Sequence, residues 1–183
     1  MTITRAALPS RRLMALCALI LLTAACAKAP PVTESFDFGG LNPDRHFMAV
    51  QTAKDMRAKG QRVWCVPFAR NVSGIQIRGN AEKWWGKAEG LYPRGKTPVV
   101  GAVMAFSATR SMPMGHIAVV SEIVAPREIR VDHANWKRNQ VSLKMTVIDV
   151  SKANDWSAVR VESQPGSFGK TYPINGFIYP TGA

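Results

Sequence analysis

Cysteine is scarce in this chain. Of 183 residues only Cys17, Cys26 and Cys65 are cysteines. The first two lie within the first 26 residues, so the remainder holds one thiol and cannot build an internal disulfide framework. Histidine is as rare, at His46, His116 and His133. Three scattered imidazoles and one thiol lack metal-ligand spacing, so neither a metal nor another cofactor is expected. The longest apolar run, residues 13–22, is shorter than the roughly 20 residues that span a bilayer. No repeats appear, and no nucleic-acid motif or Arg-rich helix, so nucleic acid is not an expected partner. Acids are few, 12 Asp and Glu against 24 Lys and Arg. That excess suits either a solvated basic surface or attraction to a polyanion such as a cell-wall polymer.

The first 26 residues read as an export address. A basic start with Arg5, Arg11 and Arg12 precedes the apolar run, and small residues follow. The end of it, Leu22-Thr23-Ala24-Ala25-Cys26, resembles a bacterial lipobox, in which the cysteine becomes the mature N-terminus and carries lipid. Cleavage after Ala25 without lipid is the alternative. Residues 27–41, with two prolines and two glycines, suit a tether. Residues 42–183 are the size of one domain. The expected location is the periplasm, with Cys26 anchoring the protein to the outer membrane.

Cys65, in Val63-Trp64-Cys65-Val66-Pro67, is then an unpaired thiol in an exported domain. Proline is welcome only in the first turn of a helix. Pro67 therefore places Cys65 at a helix start that runs to Ser73-Gly74. Unpaired N–H groups at such an end favour a thiolate, and a lowered thiol pKa is expected. A helix with Asn42 as its cap, Pro43 at its first position and Gly60 past its end holds His46, read as a surface residue. The other histidines fall in two strands, 117–124 and 129–136, joined by a turn at 125–128. Alternation sets Ile129, Val131, His133 and Asn135 on one face, and Arg130 and Asp132 on the other. With the aliphatic face inward, His133 and Asn135 point to the core and Asp132 to solvent. His116, at the mouth of the first strand, is the natural partner for the buried polar pair.

The order of these pieces, with GHIAVV, VDHANW and the closing INGFIYP, resembles the CHAP family, the cysteine, histidine-dependent amidohydrolases/peptidases of the papain-like superfamily. The resemblance runs from about residue 63 to 180. It implies an α+β fold, papain-like, with N-terminal helices packed on an antiparallel sheet of about five or six strands. It implies Cys65 as nucleophile and His116 as general base. His133, where many members have Glu, or Asn135 would orient that base. The oxyanion would meet the Cys65 N–H and one further donor, for which Gln61 is a candidate. Trp85, Trp136 and Met114 are the expected substrate contacts, with one of Trp84 and Trp85 in the core. The implied activity is a cell-envelope peptidoglycan hydrolase cutting an amide, as an N-acetylmuramoyl-L-alanine amidase or a peptide endopeptidase; an activator protein is left open. A thiol amidase acting on another amide, and a non-catalytic envelope-binding or regulatory lipoprotein, are the alternatives.

Overall fold

The computed structural model describes residues 40–181, so Cys26, the leader and nearly all of the tether lie outside the described residues. Helix α1, Pro43–Ala58, begins at Asn42, whose side chain accepts the N–H of Arg45. Helix α2, Cys65–Ser73, ends at Gly74, which takes the left-handed conformation that glycine adopts without a Cβ clash. A 3-10 turn, Ala81–Lys83, leads into the one-turn helix α3, Trp84–Lys87. The strands are β1 Arg94–Gly95, β2 Val103–Phe106, β3 His116–Ala125, β4 Glu128–Ala134, β5 Val141–Asp149, β6 Ala158–Gln164 and β7 Ser167–Ile178. Among the described residues no helix is long and apolar enough to cross a membrane.

The sheet corrects the expected fold class. Strands β2 to β7 pair antiparallel in sequence order, and β7 returns to pair with both β2 and β6. The result is a closed six-stranded antiparallel barrel with three short helices, not a papain-like arrangement of helices on an open sheet. One long strand makes the closure. The last part of β7 pairs with β2, from Val103↔Ile178 to Phe106↔Ile174. Its first part pairs with β6, from Ala158↔Pro173 to Gln164↔Ser167. A closed barrel leaves no free edge among its members.

Period-two alternation divides the apolar residues between two cores. Met104, Phe106, Ala118, Val120, Ile129, Val131, Val147, Val159 and Phe177 fill the barrel. Val103, Ala105, Ile117, Val119 and Ala134 face outward and are covered by Phe68, Ala69 and Val72 of α2 and Ala49 and Ala53 of α1. The wall between those cores carries the site: His116 and His133 belong to the inward set, and Cys65 sits on the covering helix.

Candidate active site

Cys65 is the first residue of α2. Backbone N–H groups of Ile117, Val66 and Cys65 itself act on its sulfur, which places the sulfur by the start of β3, one residue from His116. These donors favour a thiolate, yet burial outweighs them and pushes the thiol above its ordinary 9.0. The lowered thiol pKa expected from the helix start is therefore corrected: too little solvent reaches the sulfur for the dipole to prevail.

His116 is placed by Gly115. The glycine has φ +63, and a Cβ there would lie 2.8 Å from Glu82 N and 3.1 Å from Phe106 O. Glu82 N–H also donates to Met114 O at 2.9 Å, which clamps the loop before β3 on the 3-10 turn. His116 Nε2 lies 3.0 Å from His133 Nδ1, and both rings are buried. No hydrogen bond among the described residues engages His116 Nδ1, which leaves it for the cleft. Burial pulls the His116 pKa down to about 3. Burial, then the charge of His116, holds His133 well below the ordinary imidazole range. Trp136 packs on both rings, 5.1 Å from His116 and 5.5 Å from His133, the latter stacked.

The structure divides the expected site residues. Cys65, His116, Asn135, Trp136 and Met114 line one cleft of about 730 Å³, with Trp64 and Tyr172. His133 lies behind His116. Asn135 does not orient the imidazole by its Oδ1, which accepts the N–H of Asn139 at 2.9 Å. Asn139 Oδ1 in turn accepts the N–H of Val63 at 2.9 Å, two residues before the thiol. Asn135 thus braces the β4–β5 turn against the start of α2. Trp85 lies outside the cleft: the Arg94 guanidinium sits 4.8 Å above its ring, and its edge meets Gly176. Trp84 is the core member of that pair. Gln61 does not line the cleft either; its own N–H donates to Met56 O at 2.8 Å.

Two further expectations are corrected. Asp132 shares a face with Arg130 but is buried, not solvent-facing. Its Oδ2 lies 2.6 Å from His46 Nε2, and its Oδ1 accepts the N–H of Lys144 at 2.7 Å. His46 is accordingly an anchor of α1 on β4 rather than a surface residue. Alternation assigns the face correctly, but it cannot say that a helix from 86 positions away covers it. Residues absent from the sequence reading are Met145, whose sulfur lies 3.2 Å from His133 Nε2, and Asn139. Period two could have flagged Met145, which faces Val131 in the β4–β5 register.

Residues 56–135 match the family model of the CHAP domain. That model describes a cysteine/histidine-dependent amidohydrolase/peptidase domain. No curated protein matches the chain. The CHAP match contains Cys65, His116, His133 and Asn135, and ends where the β4–β5 turn begins. CHAP domains are in general hydrolytic, as amidases or peptidases, peptidoglycan hydrolases among them.

Proposed function

We propose that this protein hydrolyses an amide of peptidoglycan through a thioester on Cys65, either between sugar and stem peptide or within the peptide. The observation that carries the reading is the shared cleft: a helix-start thiol and a buried imidazole line it together, and that imidazole is held from behind at 3.0 Å. With the thiol raised and the imidazole lowered, the resting pair is neutral. His116 Nδ1 takes the Sγ proton as the sulfur attacks the amide carbon. The new C–S bond places negative charge on the carbonyl oxygen, for which the Cys65 and Val66 N–H groups at the head of α2 would serve as donors. The C–N bond breaks, and the amine leaves with the proton from Nδ1. Water then gives a proton to Nδ1 and attacks the thioester, which releases the acid and restores the thiol. His133 is the positioning residue behind the base.

The cleft suits a glycopeptide. Trp136, Tyr172 and the half-exposed Trp64 offer flat apolar faces for sugar rings, and Lys170 at the rim, hydrogen-bonded to Ser111, offers a positive charge to a stem-peptide carboxylate. The 21 basic residues left after the leader would hold the enzyme near the polyanionic wall. Export to the periplasm and an outer-membrane lipid on Cys26 belong to the same proposal; cells fed a labelled fatty acid should label the wild type and not Cys26→Ser. The activity is tested by digesting purified sacculi and identifying the fragments by mass spectrometry. Wild type should release soluble amide-cleavage products and Cys65→Ala none. Equal release from both would rule out Cys65 as the nucleophile, and no release from either would leave the two alternatives, a thiol amidase acting on another amide and an envelope-binding lipoprotein.

A further inference from the structure

The two imidazoles form a relay whose direction a third side chain decides. His133 Nδ1 faces His116 Nε2 at 3.0 Å, and His133 Nε2 faces Met145 Sδ at 3.2 Å. A neutral imidazole has one donor and one acceptor nitrogen, whereas a thioether can only accept. Aromatic rings close the other sides: Trp136 stacks on His133, and Phe106 meets His116 edge-on at 5.6 Å. His133 Nε2 therefore has Met145 as its hydrogen-bond partner. If His133 carried its proton on Nδ1, its Nε2 lone pair would face the sulfur lone pairs, a buried acceptor without a donor. His116 Nε2 would then have to accept, which would put the neutral His116 proton on Nδ1, where it blocks uptake of the thiol proton.

We propose that Met145 is a positioning residue for the hydrolysis: its sulfur accepts the His133 Nε2 proton, which makes His133 Nδ1 the acceptor for the His116 Nε2 proton and keeps His116 Nδ1 open towards Cys65. The relay has the same sense in both states of the base, because an imidazolium at His116 also donates from Nε2. The kinetic half of the inference rests on the hydrolase reading; the tautomer half does not.

The test uses two-bond proton–nitrogen NMR on histidine-labelled wild-type protein near neutral pH, which distinguishes protonated from unprotonated ring nitrogens. His133 and His116 should both carry their protons on Nε2. A wild-type spectrum with His133 protonated on Nδ1 overturns the proposal, whatever the variants do. Met145→Leu keeps the bulk and removes the acceptor. It should mix the His133 tautomers and lower kcat on sacculi by roughly five- to tenfold, the worth of about one hydrogen bond, with KM unchanged. Unchanged tautomers or an unchanged kcat in a folded Met145→Leu protein also overturn it. If wild type releases no products from sacculi, the hydrolase reading fails and the spectrum still decides the tautomers.

Discussion

At the scale of single residues, two opposed effects meet on Cys65, and their balance fixes the pH behaviour. Three backbone N–H groups favour the thiolate, while burial favours the thiol; burial is the larger. The same desolvation keeps His116 neutral, down to about 3. Two consequences are measurable. Alkylation of Cys65 by iodoacetamide should be slow at neutral pH and should keep rising beyond pH 9, as more of the raised thiol ionises. The acidic limb of kcat/KM should lie far below the ordinary imidazole value of 6.5, because the base stays unprotonated until much lower pH. A profile between pH 4.5 and 8 checks this; a tenfold fall per unit below 6.5 would show that the ring titrates like a solvated histidine. The helix start was legible from Pro67, and its N–H donors are present. What could not be read from the residues is how deeply Ile117 and α2 bury the sulfur, which reverses the net shift.

At the scale of elements, the site is held by joints between segments far apart in the chain. The β4–β5 turn carries Asn135 at φ 62 and Asn139 at φ 55, left-handed positions that asparagine tolerates better than other non-glycine residues. Through Asn139 Oδ1 it grips Val63 and sets the approach to Cys65. Asn139→Ala should cost about 1–3 kcal/mol, because it leaves a part-buried N–H without its acceptor and puts alanine in a left-handed position; urea unfolding measures this, and kcat/KM should fall with it as α2 loosens. Gly115→Ala should be harsher. Its Cβ would press on the backbone of Glu82, and a positive φ strains any L side chain, so His116 must shift. A loss of at least about tenfold in kcat/KM is expected, with a lower unfolding midpoint. The boundaries of both helices and of β3 and β4 follow from caps, prolines and alternation, all of which act within a few residues. The joints do not, since Asn139–Val63 and His46–Asp132 link residues 76 and 86 positions apart.

At the scale of the whole molecule, closure of the barrel is what strand patterns hide. Alternation is the same in an open sheet and in a ring, and only the two-sided pairing of β7 distinguishes them. Closure gives the barrel a dry interior, and His116 and His133 stand in it as neutral rings. Their folded pKa values lie below the unfolded 6.5, so below pH 6.5 the unfolded chain binds protons that the folded chain refuses. Stability must therefore fall with pH, by up to roughly 1.4 kcal/mol per unit for each ring, until the folded rings protonate. For His116, whose folded value is about 3, two units amount to roughly 2.5 kcal/mol, a large share of the stability of a marginal domain, and His133 acts in the same direction. The carboxyls of Glu122, Asp155 and Glu162, held below their ordinary 4.5, 3.8 and 4.5, act in the same direction only below about pH 4.5. The urea midpoint should accordingly drop steeply between pH 6.5 and 4.5 at an unchanged m-value. His133→Leu removes one of the two refused protons and should make that slope shallower. A midpoint that stays level from pH 7 to 4.5 would mean that the rings take up protons in the folded protein, and so that water reaches the end of the barrel where they stand.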